Sequence, residues 1–202
     1  MRGIILVLCL LVFSSNVYPQ LEKEYSDKIT AFNLQRNNLQ KNAMLTLTGW
    51  SVLNLTSGTI GYFTTSGESR YFNQMNAGWN AVNLGLGLFG YFQSKNEYFD
   101  DYGLQESLEK HRSTSNAFLF NGALNLTYIT SGFLLREMAK SNVENEMRFR
   151  GWGNSLILQG GFLLAFDLTS FVLHQRNRKS NIDPIIMNLS FKGNELGLVI
   201  KL

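Results

Sequence analysis

Charge segregation restricts this chain more than any other feature. Four stretches, 42–67, 71–94, 113–135 and 151–175, hold 98 of its 202 residues but one of its 33 formal charges, Asp167. The other 104 residues hold the remaining 32. A surface helix of a water-soluble bundle needs a charged outer face, and uncharged windows of 23 to 26 residues leave no room for one. About 20 apolar residues suffice to cross a bilayer as a helix. A segment in lipid must satisfy its own backbone groups, which makes it helical. The pattern predicts an all-α fold, a four-helix transmembrane bundle over 43–175 with spans at Ala43–Phe63, Met75–Phe92, Asn116–Leu135 and Trp152–Leu173. The first span is the most polar, carrying Thr46, Thr48, Ser51, Asn54, Thr56, Ser57 and Thr59. A soluble or surface-bound bundle is therefore the rival reading.

The flanks have their own periods. Residues 1–19 have the form of a signal peptide: Arg2, an apolar run from Ile4 to Phe13, then Ser14-Ser15-Asn16. The single cysteine, Cys9, lies in that run, so the mature chain would have no disulfide and no thiolate. Residues 20–42 predict a short amphipathic helix, with Leu21, Tyr25, Ile29 and Phe32 at helical spacing. Over 184–202, Ile185, Met187, Leu189 and Phe191, then Leu196, Leu198, Ile200 and Leu202, alternate around Gly193-Asn194. That alternation predicts a β-hairpin.

Inside the uncharged windows the chain repeats itself. GWSVLNLTSGTIGYF (49–63) and GWNAVNLGLGLFGYF (78–92) agree at eight of fifteen positions, and LNLT recurs at 53–56 and 124–127. At about 100° per residue, Trp79, Asn83, Gly87 and Gly90 fall on one helical stripe. Trp50, Asn54, Gly58 and Gly61 repeat it, as do Asn125 and Gly132 more loosely. Gln159 and Asp167 share a stripe of the fourth span. Helices in lipid associate through close backbone approach and interhelical hydrogen bonds. Gly58, Gly61, Gly87, Gly90 and Gly132 are therefore expected to be packing positions. Asn54, Asn83, Asn125, Gln159 and Asp167 are expected to form a polar stripe inside the bundle, with Asn125, Gln159 or Arg136 as partner to Asp167. Trp50, Trp79, Trp152 and Arg70 stand near span ends in the sequence, where the membrane interface suits them.

Several function classes drop out. A net charge of +3 with dispersed cations does not suit nucleic acid. Gly85-Leu-Gly87-Leu-Phe-Gly90 fits the dinucleotide fingerprint but lies inside a span, without the strand such a site needs. Two histidines, His111 in a connecting segment and His174 at a span end, form neither a metal set nor a catalytic triad. The residues point to no enzyme activity, no cofactor and no metal.

RYFNQMNAGWNAVNLGLG, residues 70–87, resembles the signature of an uncharacterised four-span membrane protein family of Bacteroidota, with similarity running from about Leu34 to Leu173. The resemblance implies a bacterial envelope location and no particular activity. The expected protein is a small integral membrane protein with a structural or interaction role. Its partners would be the lipid bilayer and a second copy or another membrane protein. The alternative is solute or ion transport along the polar stripe through Asp167, the one acid within a span.

Overall fold

The structure, a computed structural model of the chain, describes the backbone of residues 2–97, 102–192 and 195–198 and the side chains of residues 23–97 and 102–186. Its elements are α1 (Arg2–Thr64), α2 (Gly67–Asn96), α3 (Leu104–Ala139), α4 (Glu146–Asn181) and the short α5 (Asp183–Asn188). A single 3-10 turn, Val143–Asn145, precedes α4. α1 and α2 join through a tight turn at Thr65 and Ser66. Gly67 leaves that turn at φ +59°, in the left-handed region open to glycine.

Every helix outruns the span expected within it. The expected lead-in helix at 20–42 and the first span are one continuous helix, α1. α3 begins twelve residues before Asn116. The extra turns bury a mixed side that includes Phe32, Arg36, Ser107, His111 and Asn177, so packing carries each helix past its uncharged window. Phe32, Ile182 and Ile185 form an ordinary apolar core there, with Tyr25, Ile29, Leu104 and Leu108 against it.

The expected hairpin over 184–202 needs correction. Asp183–Asn188 is helical, and Ile185 packs into that core instead of alternating along a strand. Among the described residues, only Leu189–Lys192 and Glu195–Leu198 pair antiparallel, and a ribbon this short adds no structural layer. The body of the fold is all-helical. The side chains of the expected signal segment, 1–19, and of the tail from Met187 onward lie outside the described residues.

The four-span expectation also narrows. Among the described residues, two helical regions, Leu104–Ala139 and Val143–Ile186, are long and apolar enough to cross a membrane. The described part of α1, from residue 23, falls short through its seven Ser, Thr and Asn residues between Thr46 and Thr59. α2 falls short through Asn76, Asn80 and Asn83.

Packing is pairwise. α1 lies along α2, α3 along α4, and α2 and α1 lean on α4, whereas α2 and α3 scarcely meet. Buried positions recur at alternating three- and four-residue steps, as at Asn76, Asn80, Asn83 and Gly87 in α2 or Gly160, Leu163, Asp167, Ser170, His174 and Asn177 in α4. This is the seam spacing of interlocking helices, filled here with small and polar residues. Gly132 and Gly153 show how close the helices come. A Cβ on Gly132 would stand 2.7 Å from the Gly153 carbonyl oxygen, and one on Gly153 would stand 2.6 Å from the Gly132 carbonyl oxygen.

The sequence repeat has a structural counterpart. Gly58 of the first copy abuts Ala77 of α2, and Gly87, its equivalent in the second copy, abuts Thr48 of α1. Gly61 meets Asn73, and its equivalent Gly90 meets Met44. Each contact maps onto the other when the copies are exchanged. The two copies therefore lie antiparallel about a local two-fold axis, each glycine opening space for the other helix.

Candidate functional site

Burial in this bundle is inverted. Asn80, Ser51 and Ser155 are wholly buried and Gln159 is 1% exposed, while Phe63, Phe89 and Leu53 are 79%, 71% and 70% exposed. The exposed apolar set includes Ile60 on α1, Val82 and Leu86 on α2, Phe120 and Phe133 on α3, and Leu168 and Val172 on α4. A polar spine runs through the centre instead. An interior amide or hydroxyl costs free energy unless it is hydrogen-bonded, so its partners define the site.

Asn76 is the hub. Its Nδ2 donates to the backbone carbonyl and the Oδ1 of Asn54, each at 3.2 Å. Its Oδ1 accepts from Gln159 Nε2 on α4 and from Asn80 Nδ2 at 3.3 Å. Gln159 Oε1 in turn accepts from the Trp50 indole at 2.9 Å, while Trp50 stacks on Phe162 with ring centroids 3.7 Å apart. Asn54 Nδ2 closes the set onto the Trp50 carbonyl at 2.9 Å. One network thus ties α1, α2 and α4 together.

The expected single stripe divides here. Asn54 and Gln159 belong to the Asn76 network. Asn125 and Asp167 form a separate pair, with Asn125 Nδ2 donating to Asp167 Oδ2 at 2.6 Å between α3 and α4. Arg136 packs its stem against Gly153 and is not the partner of Asp167. Asn83 is buried, and its Nδ2 has no hydrogen-bond partner. It faces a cavity of about 330 Å³ in the gap between α2 and α3, where Asn125 and Asp167 also stand and Phe118, Tyr128 and Leu163 supply apolar wall. A second cavity, about 240 Å³, lies toward Arg36 and Glu97 and shares Met44, Phe118 and Asn121 with the first.

The tryptophans expected at the interface make contacts within the bundle. Trp50 lies deep in the bundle on Gln159, and Trp79 lines the larger cavity with its ring edge-on to Tyr128 at 4.7 Å. Both stand within helices that run beyond the uncharged windows. Trp152 is nearer an end. Its indole donates to Gln74 Oε1 at 3.2 Å, and Arg148 lies over its ring. Arg70, beside the α1–α2 turn, sits over the Tyr62 ring at 4.7 Å and donates to its hydroxyl at 3.3 Å. Gly58, Gly61, Gly87, Gly90 and Gly132 each face a neighbouring helix within contact distance.

His111 lies within α3 rather than in a connecting segment. The register that faces Gly132 on Gly153 also faces His111 on His174, with ring centroids 6.4 Å apart. No group of three His, Cys, Asp or Glu that could hold a metal occurs among the described residues. Sequence reasoning missed this pair and the Asn76 hub. The hub carried a signal, since Asn76, Asn80 and Asn83 stand at i, i+4 and i+7. The histidines carried none.

Residues 46–168 match a family of unknown function, DUF6992, inside the 34–173 stretch that carried the sequence resemblance. No curated protein and no solved structure matches the chain.

Proposed function

The chain belongs to the DUF6992 family of unknown function, and on that premise we propose that it is a small integral membrane protein of the bacterial envelope. It is delivered by a signal peptide over 1–19, and it acts in a structural or interaction role rather than as an enzyme. The observation that carries this reading is the inverted burial: amides inside, phenylalanines and leucines outside on all four long helices. In water that arrangement would expose an apolar surface with no counterweight. In lipid it is the favourable one, because the bilayer solvates the apolar faces and the helices hold together through polar and close contacts. α3 and α4 are apolar enough to insert by themselves. The α1–α2 hairpin is less so, and its place in the bilayer rests on the Asn76 network, which hides its amides against α4.

Alkaline carbonate washing of membranes from cells that make the full chain tests this directly. The protein should stay in the pellet, as bilayer-spanning proteins do. Its release into the supernatant would sink the proposal.

One observation favours transport as a second reading: the Asn125–Asp167 pair borders a cavity. Against it, no hydrogen bond joins that pair to the Asn76 network among the described residues. In reconstituted vesicles the structural reading expects no proton or potassium flux above that of empty vesicles. A flux that Asp167→Asn abolishes at unchanged melting temperature would establish transport instead.

A further inference from the structure

The two cavities between α2 and α3 are unlike each other and lie end to end. The larger is walled by Trp79, Leu86, Phe118 and Tyr128 and opens through the gap where α2 and α3 scarcely touch. The smaller is polar and lies where the middle of α1, the end of α2 and the charged early turns of α3 converge, around Arg36, Gln40, Gln93 and Ser94. Only Met44, Phe118 and Asn121 separate them, and Met44 is the adaptable kind of side chain that yields to a guest. From Ser113 to Tyr128 along α3 the crevice runs about 22 Å at 1.5 Å per residue. That is roughly the reach of one extended acyl chain with its headgroup.

The polar end has unmet bonding capacity. The Arg36 side chain is 5% exposed, yet its Nε has no hydrogen-bond partner, and neither has Gln40 Oε1. Arg36 meets Glu97 only at 3.5 Å, and Lys110 reaches the same carboxylate at 3.8 Å. Among the described residues, Arg36 and Lys110 thus share the Glu97 carboxylate. A buried guanidinium with a free N–H is suited to a phosphate, which it binds with short charge-assisted hydrogen bonds.

We propose that the crevice between α2 and α3 binds one anionic membrane phospholipid, an acyl chain between Trp79 and Phe118 and the headgroup phosphate at Arg36. This rests on the membrane reading above. The depth agrees with it: the polar cavity borders the charged stretches that flank the uncharged windows, as headgroups would, and the apolar cavity lies alongside the windows themselves.

The test is native mass spectrometry of the full chain in detergent, titrated separately with phosphatidylglycerol, phosphatidylcholine and inorganic phosphate. The wild type should retain one phosphatidylglycerol with about tenfold preference over phosphatidylcholine, the scale of a single charge-assisted contact. Arg36→Gln should reduce the preference to within about twofold while a lipid of either kind is still held. Leu86→Trp, which fills the crevice from an exposed position, should abolish retention of both lipids at unchanged melting temperature. Equal retention of the two lipids by the wild type would overturn the proposal. So would a preference unchanged in Arg36→Gln, or displacement of the lipid by inorganic phosphate at comparable concentration. Failure of the membrane reading is a separate result: the chain would leave membranes on alkaline washing whatever its lipid preference.

Discussion

Asn76→Leu is expected to lower the stability of the folded chain in detergent by about 2–4 kcal/mol. The substitution removes both interhelical links of the hub, to Asn54 on α1 and to Gln159 on α4. Interhelical hydrogen bonds in membrane proteins average about 0.6 kcal/mol and reach about 1.7. Two such links therefore account for part of the loss. The larger part comes from what is left behind. Gln159 Nε2 loses its acceptor while remaining buried, and a buried group without a partner costs about 1–3 kcal/mol; Asn80 Nδ2 keeps the Asn76 backbone carbonyl at 2.8 Å. Thr130→Val is the control. Thr130 is exposed and bonds only to its own helix, through Leu126 O, so its loss should stay within about 0.5 kcal/mol. Equilibrium unfolding in mixed micelles measures both. If Asn76→Leu fell within the range of the control, the network would be incidental to folding.

Glycines give the second large effect, and its sign changes with position. Gly132→Ala should destabilise by about 2 kcal/mol and Gly132→Leu by more, since overpacking a tight site costs about 1–3 kcal/mol per modest enlargement. The added Cβ would meet a backbone oxygen of α4 at 2.7 Å, and a backbone atom cannot move aside without separating the helices. Gly85 and Gly161 have nothing within 4 Å of an added Cβ. Alanine at either should be neutral or should stabilise by up to about 1 kcal/mol through helix propensity. Thermal melting of the three alanine variants separates the cases. Loss of the same size at all three positions would mean that propensity, not close approach, governs.

Much of this architecture can be read from the sequence, because the solvent acts on composition directly. Charge-free windows, small residues and amides at helical spacing fix four helices and which faces meet. The glycines of the repeat could be assigned on that basis, since only a residue without a side chain permits the approach made at Gly58 and Gly87. The hub was hidden because Asn76 precedes the repeated phrase, and its counterpart in the first copy is Leu47. Reading the repeat draws attention to what the copies share, and the network depends on where they differ. The partners of Trp50 and Trp79 were hidden for another reason. Uncharged windows do not mark where helices end, because packing extends each helix beyond its window, and they do not show which side chain a tryptophan will meet. Ile185 alternates like a strand residue, yet the Phe32 pocket takes it as part of a helix, a tertiary contact overriding a local period. The facing of His111 on His174, 63 residues apart in sequence, follows only from the α3–α4 register.

Site-specific quenching tests the central claim, that this bundle is solvated by lipid on its outside, most directly. Single cysteines would replace Leu53, Phe89 and Phe133 in a Cys9→Ser background, each carrying a fluorophore in reconstituted vesicles. A fourth, at exposed Glu106 near the start of α3, reports on water. Doxyl-labelled lipids should quench the first three labels and leave the Glu106 label bright, while aqueous iodide does the reverse. Iodide quenching at Leu53, Phe89 and Phe133 would contradict the account.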